Sequence, residues 1–368
     1  MAFAPVSSLI LDGLPKFLSM AYHEALNHAI YTFAELGIAD QLIQAPFDRG
    51  FSVEEIIGDD RPQWNRDLLY RILRACICGG LVESINDDKH FILTASGSMI
   101  TSNHPSHARD FIRFCFGPMC SSASLQLPNM VCGKGTGSGI ARVSGDVDIY
   151  TLMGQPGQEE FLQIFSGAMT TFSMQSSSLL VTAVDFGRFK TMVDIGGNSG
   201  IFLAQLLESY PSIQHGTVFD LPHVVNKFNN GEEFESRKIH KDKWCFVSGN
   251  IFDSSTIPSA DAYILKYILH NFDDKKFLEI LSLIRKANEN QKGTSTTIFI
   301  IEHIILPDGI LSNWQSHGFD IKMAILFGNA RERTQDEYEQ LLKQAGYELK
   351  QMYSIQAPAS IIEAVVVH

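Results

Sequence analysis

The sequence predicts an α/β fold: a parallel-type sheet in the C-terminal half, preceded by a helical N-terminal part with a winged-helix pattern. Three observations predict it. From Met192 onward, apolar strand-like runs alternate with helical patterns, which argues a parallel sheet covered on both faces. The run Met192-Val193-Asp194-Ile195-Gly196-Gly197-Asn198-Ser199-Gly200 reads as a buried strand ending in a tight glycine turn, and about twenty residues later a second strand ends in an acid, Asp220. The first 110 residues read instead as helix, turn, helix and two short strands.

Taken in order, Ala25, Ile30, Phe33, Leu36 and Ile38 form the apolar stripe of a helix that ends at Gly37 or soon after. Ser52 caps a short helix, with Glu55 completing a capping box. Asn65 opens a third, with Leu68, Leu69, Ile72, Leu73, Cys76 and Ile77 on its buried side and Gly79-Gly80 at its end. Residues 81–85 and 91–94 make a two-stranded wing around Asn86-Asp87-Asp88. A winged helix invites a DNA-binding reading, and Arg61, Arg66, Arg71 and Arg74 suit it. Asp59, Asp60 and Asp67 interrupt them, so packing or dimerisation is the favoured use.

Residues 131–148 carry Gly133, Gly135, Gly137, Gly139 and Gly145 and read as a loop between domains. Phe161, Phe165, Met169 and Phe172 follow at near-helical spacing, either as core packing or as an aromatic pocket wall. The strands that follow lie around Asp194, Asp220, residues 246–247, 262–265 and 297–301, with helices over 201–209, 275–288 and 334–344. The division expected is 1–110, then a linker and helical pocket segment over 111–175, then 176–368.

Composition narrows the function. The chain has 368 residues, 45% hydrophobic and 19% charged, which suits a globular protein with a substantial core. A net charge of −12 disfavours nucleic acid and anionic membranes as partners. The start, Met1-Ala2-Phe3-Ala4-Pro5, has no secretory pattern, and no apolar run is long enough to span a bilayer, so a cytoplasmic location is expected. Cys76, Cys78, Cys115, Cys120, Cys132 and Cys245 are scattered and read as reduced, buried thiols; no His or Cys spacing suggests a metal.

A strand, a glycine turn, a helix and a strand ending in an acid is how α/β proteins hold a nucleoside cofactor. Two cofactor classes share the arrangement. A dinucleotide wants Gly-x-Gly-x-x-Gly so that its pyrophosphate can approach the helix start, but Asn198 and Ile201 stand at the third and sixth positions. The pattern Asp194-x-Gly196-x-x-x-Gly200 is instead similar to the first motif of S-adenosylmethionine-dependent methyltransferases. His270 lies just beyond a strand on the face where ligands collect, and Glu302 and Glu332 lie at comparable strand ends or loops.

With these stretches in view, the chain resembles the caffeic acid and acetylserotonin O-methyltransferases, which form one family. The resemblance rests on Val193-Asp194-Ile195-Gly196-Gly197, Phe219-Asp220-Leu221-Pro222-His223-Val224-Val225, Leu265-Lys266-Tyr267-Ile268-Leu269-His270, Ile301-Glu302-His303-Ile304-Ile305-Leu306-Pro307 and Glu332-Arg333-Thr334. Their order and spacing fit, apart from a slightly longer loop at residues 290–296, and the resemblance covers nearly the whole chain. It implies a Rossmann-like methyltransferase domain, an N-terminal winged-helix dimerisation domain, a homodimer and S-adenosylmethionine as cofactor. It implies His270 as general base, oriented by Glu302 and Glu332. It places Asp194, Gly196, Gly197, Asp220, Leu221, Asn250, Ile251 and Lys266 around the cofactor, with Asp220 on the ribose. The expected pocket wall is Phe161, Phe165, Met169, Phe172, Phe319, Met323 and Phe327, which suits a flat, apolar aromatic acceptor.

The chemistry fits those residue types. The electrophile is already activated, so the enzyme must position and deprotonate the nucleophile. A phenol titrates near 10 and an imidazole near 6.5, so full proton transfer is uphill by about 3.5 units, roughly 5 kcal/mol. That gap selects phenolic or similarly acidic hydroxyls over aliphatic alcohols. Three positions depart from the family: Asn271 for an Asp beside the histidine, Asn250 for an Asp on the adenine, and Asn198 for a glycine. Asn198 is expected to be harmless, since Asn tolerates a left-handed backbone, and Asn250 to cost affinity. Thr171 stands where the family most often has a substrate-contacting histidine. Two further readings stay open: a relative that uses the cofactor without methylating, and a cofactor-binding pseudoenzyme.

Overall fold

The computed structural model describes residues 12–86, 89–289, 296–306, 314–355 and 359–367. The chain start, the wing-turn residues Asp87 and Asp88, loop residues 290–295 and Pro307 lie outside the described residues. The chain divides into two compact units, Met1–Met174 and Gln175–His368.

In the first unit the Leu14–Glu35 helix stops before Gly37, which takes φ 64 and starts a separate helix, Ile38–Leu42. The stripe read from the sequence is therefore broken: Phe33 and Ile38 are buried in successive helices, and Leu36 between them is 44% exposed. Ser52 and Glu55 form the capping box on Val53–Ile57. Asn65 Oδ1 accepts from Leu68 N at 3.0 Å to cap the Arg66–Cys78 helix. That helix buries Leu69, Leu73 and Cys76, while Leu68 points outward, because one helical step turns the side chain by roughly 100°. β1 (Val82–Ile85) and β2 (His90–Leu93) pair antiparallel as the wing.

Residues 131–148 are not a boundary. They contain the Gly139–Val143 helix, capped by Ser138 and anchored by the buried Ile140. Residues 111–174 belong to the first unit rather than to a separate linker. Aromatic packing ties them in: Phe161 and Phe165 pack on Phe114, and Phe172 packs edge-on against Phe111 at 5.0 Å. Only Cys76 and Cys120 are buried; Cys115 and Cys245 are half-buried and Cys78 and Cys132 exposed, so the reading of buried thiols holds for two of the six.

The second unit is built on a sheet of β3 (Thr191–Ile195), β4 (His215–Asp220), β5 (Trp244–Ser248), β6 (Ala262–Lys266), β7 (Thr297–Ile305), β8 (Arg333–Thr334), β9 (Tyr347–Ser354) and β10 (Ala359–Val366). The strand order is β5-β4-β3-β6-β7-β10-β9, with β8 pairing with the end of β7. The first five strands in that order run parallel, and β10 is antiparallel to both neighbours. The sheet is therefore mainly parallel. Only residues 355–358 separate β9 from β10, too few for a parallel crossover, which takes about a dozen or more. β7 also runs further than the sequence suggests, so Glu302 lies within the strand rather than at its end.

Both faces of the sheet are covered. Tyr263 and Leu265 of β6 pack with Phe277, Ile280 and Ile284 of the Asp274–Asn288 helix. Ala262 and Ile264 pack with Phe202, Leu203 and Leu206 of the Ile201–Ser209 helix. Alternation along β6 thus feeds two apolar layers, as a doubly covered parallel sheet requires. Among the described residues, no helix is long and apolar enough to cross a membrane.

Candidate active site

The glycine turn follows β3 directly. Val193 and Ile195 are buried, so the strand ends rigidly at Gly196. Gly196, Asn198 and Gly200 take φ 68, 53 and 80, so the turn needs three left-handed residues in five. Asn198 adopts that backbone as expected. A Cβ on Gly196 would lie 2.4 Å from Ile268 Cδ1, and one on Gly197 would lie 2.8 Å from Asp194 Oδ2. Gly196→Ala is therefore expected to destabilise the second unit by about 1–3 kcal/mol and to displace Ile268. A thermal melt and a cofactor titration check this; an unchanged melting temperature with unchanged affinity would contradict it.

Asp220 closes β4 opposite the turn. Its Oδ2 accepts from Asn198 N at 2.9 Å and its Oδ1 from Leu221 N at 2.7 Å. A carboxylate has about four acceptor positions, so two remain for a pair of vicinal hydroxyls. Burial raises the Asp220 carboxyl above its usual range, and the two amide donors pull it back. Asp194 is buried beneath the turn. Burial drives Asp194 up and Lys266 down, and the attraction between the two opposes both shifts. Asn250 lies two residues past β5; its side-chain oxygen accepts from Phe252 N at 3.0 Å, which occupies one of its lone pairs in a local turn. Leu221 is 46% exposed, and Ile251 is partly buried against the core. These groups cluster at the carboxyl ends of β3, β4, β5 and β6, the ligand-binding edge of such sheets.

His270 sits in a short 3-10 turn, Leu269–Asn271, just beyond β6 and is buried. Its Nδ1 donates to Glu332 Oε1 at 2.9 Å and lies 3.0 Å from Glu302 Oε2. Both carboxylates are buried. The two acids do different work. Glu302 Oε1 also accepts from the backbone N–H groups of Ile268, Leu269 and His270 at 3.1, 2.9 and 3.2 Å, fixing the loop. Among the described residues, the Glu332 side chain hydrogen-bonds to the imidazole, and its own N–H donates to Asp320 Oδ1 at 2.8 Å. Burial works to lower the His270 pKa, but the two carboxylates outweigh it and raise it to about 10. With Nδ1 held as donor, Nε2 is the ring atom left to take a proton.

Sequence reasoning missed several members of this site. Arg333 is fully buried and donates to the carbonyls of Leu269 at 3.2 Å and Phe272 at 2.7 Å. Tyr267 takes φ 57 and stacks on the His270 ring at 5.9 Å and 20°. His303 is buried, stacks on Phe319 at 4.4 Å, and its Nδ1 has no partner among the described residues. Burial holds His303 down to about 4, with His270 adding to the effect and Glu302 opposing it. Arg333 stood inside a matched motif, yet nothing local marks it as buried. The apolar strand run around His303 was the available signal for its burial.

The expected pocket residues fall in two groups. Phe319, Met323 and Phe327 lie on the Trp314–Phe327 helix of the second unit, with Met323 buried and Phe319 5.8 Å from the His270 ring. Phe161, Phe165, Met169 and Phe172 lie on the Glu159–Ala183 helix, where the three phenylalanines take part in the aromatic packing of the first unit. Thr171 Oγ1 donates to Ser106 O at 2.7 Å.

A family model described as an O-methyltransferase domain matches residues 141–348. The chain is similar to O-methyltransferase SfmM3 of Streptomyces lavendulae, 28% identical over 351 residues, which cover 94% of this chain and 98% of that one. It is 27% identical over 364 residues to the phenazine O-methyltransferase PhzM of Lysobacter antibioticus, covering 98% and 96%. O-methyltransferases of Dictyostelium discoideum match over 51–55% of their own length. Among solved structures, human N-acetylserotonin methyltransferase in complex with SAM shares the fold, with a TM-score of 0.80 at 22% identity over 98% of this chain and 99% of that one.

Proposed function

We propose, because the chain belongs to the O-methyltransferase family and is an S-adenosylmethionine-dependent enzyme, that it methylates a phenolic or similarly acidic hydroxyl on a small aromatic metabolite, with His270 as general base. The observation that carries this reading is the His270 imidazole, buried and held through Nδ1 by Glu332 and Glu302. S-adenosylmethionine supplies the methyl group in an already activated form. The cradle suits it: a turn whose close side chains exclude a Cβ, an acid with acceptor positions free for two hydroxyls, and no glycine pattern for a pyrophosphate. Asp194, Gly196, Gly197, Asp220, Leu221, Asn250, Ile251 and Lys266 would hold it.

His270 Nε2 takes the acceptor's proton as the hydroxyl oxygen attacks. A free imidazole is about 3.5 units too weak a base for a phenol. The paired carboxylates raise the basicity of His270 and so narrow that gap, while keeping more of the ring protonated at neutral pH. We read the three residues as a proton-holding cluster rather than a metal site, although their donor atoms lie within 4.8 Å of one another. The Nδ1 donor and Glu302 Oε1 are already engaged in hydrogen bonds.

The raised basicity has a consequence for pH. A general base acts only when deprotonated, so kcat/KM is expected to rise from pH 7 and level off near 10. Glu332→Gln removes one of the charges that raise His270, so the rising limb should move to lower pH. Two acceptors of different acidity separate the enzyme's limb from the acceptor's own ionisation. A limb that follows only the acceptor, and that Glu332→Gln does not move, would count against His270 as base.

The N-terminal unit, with its helices and antiparallel wing, is the proposed winged-helix dimerisation domain of a homodimer. The acceptor class points to secondary metabolism, and a cytoplasmic location accompanies it. A panel of phenols and hydroxyindoles, read by mass spectrometry for methylated product and S-adenosylhomocysteine, tests the whole reading. Tight cofactor binding without any methylated product would favour a non-methylating member of the fold.

A further inference from the structure

Asn271 departs from its family at the residue after the proposed base, and the structure gives the amide a task that a carboxylate cannot perform. Tyr267 is the bulkiest of the six non-glycine residues with positive φ among those described. A side chain with a Cβ enters that region only when its surroundings hold it there. Two hydrogen bonds do so: Tyr267 N donates to Ile301 O at 3.0 Å, and Asn271 Nδ2 donates to Tyr267 O at 3.2 Å. The second needs a donor at position 271. An amide has one and an ionised carboxylate has none. An aspartate there would set its oxygen against the Tyr267 carbonyl and push the peptide out of place.

The Tyr267 conformation matters because of what its ring touches. It stacks on the His270 imidazole at 5.9 Å and 20°, and lies 5.6 Å from His303. Glu302 and Glu332 fix only one edge of the imidazole, at Nδ1. A flat neighbour on its face limits rotation about that edge and so aims Nε2. We propose that Asn271 is a positioning residue for His270, acting through the left-handed Tyr267, so that the amide is required in this chain rather than a weakened form of the usual acid. This rests on the reading of His270 as general base.

The test compares Asn271→Asp, Asn271→Ala and Asn271→Ser in the full chain. A serine hydroxyl can donate to the carbonyl four residues back, which is the Tyr267 carbonyl. Two readouts are taken: steady-state kinetics, and the nitrogen-15 imidazole signals of His270, identified by their loss in His270→Gln. Asn271→Asp and Asn271→Ala are expected to lower kcat by about tenfold or more, with cofactor affinity within about twofold, and to move the His270 signals. Asn271→Ser is expected to retain most of kcat and the wild-type signals. An aspartate variant as fast as wild type, unmoved His270 signals in that variant, or a serine variant as impaired as alanine would each overturn the proposal. Failure of the wild type to methylate any acceptor would instead sink the functional reading, and the imidazole signals alone would then decide whether Asn271 positions His270.

Discussion

His270→Ala is expected to lower methyl transfer by about two to four orders of magnitude while leaving S-adenosylmethionine binding unchanged. The asymmetry follows from the geometry. The His270 ring bonds go to Glu302 and Glu332, whereas Asp220 bonds to the turn. Removing the imidazole therefore takes away the proton acceptor without touching the backbone that shapes the cofactor cradle. It also leaves two buried carboxylates facing each other without the cation between them. Burial already raises Glu332. In the variant it should take up a proton near neutral pH rather than unfold the site. Isothermal titration of the cofactor and single-turnover methylation, on the same preparation, check the prediction. Normal turnover with intact binding would end the general-base reading. Loss of both activities together would mean that the variant had lost its fold and would call for His270→Gln, which keeps the volume.

The parts of this fold written in local patterns were legible in the sequence. The glycine turn is a run of apolar strand residues followed by glycines, and Asp220 closes the next strand, so both could be placed without knowing their neighbours. The Ser52–Glu55 capping box and the alternation of strands and helices were legible for the same reason. The antiparallel edge was not, because the pairing of β10 between β7 and β9 depends on connection length and on which edge remains open. Tyr267 was hidden because its left-handed backbone is imposed by Ile301 and Asn271 and not by its own preference. Arg333 reads as a surface arginine, since its burial depends on carbonyls of residues some sixty positions earlier in the chain. Glu302 and Glu332 were singled out by their place at strand ends or loops, and their role beside His270 came from the resemblance. Nothing in their local sequence says that both reach the same nitrogen, or that one also holds the loop.

That last difference sets the second large effect. Glu302→Ala is expected to destabilise the second unit by about 3–5 kcal/mol and to abolish turnover, whereas Glu332→Ala should cost turnover with little loss of stability. Glu302 Oε1 is the acceptor for three consecutive backbone N–H groups, Ile268 to His270, two of them on fully or nearly fully buried residues. Removing it orphans all three at once, and each unsatisfied buried donor costs about 1–3 kcal/mol, with less than full additivity as the loop relaxes. Arg333 and Asn271 would still hold the loop's carbonyls, so the loop should loosen on its N–H side rather than detach. Glu332 has no such backbone clients, so its loss leaves the loop in place and removes only one partner of Nδ1. Glu302→Gln separates the two jobs. Its amide oxygen can still accept the three N–H bonds, so stability should stay close to wild type. Its NH2 group would face Nδ1 and compete with the Nδ1–H bond to Glu332 that leaves Nε2 free as a base; turnover should fall by about a hundredfold or more. Denaturant melts and single-turnover rates for the three variants give the comparison. Equal stability loss in Glu302→Ala and Glu332→Ala, or full turnover in Glu302→Gln, would show that the two acids share one role after all.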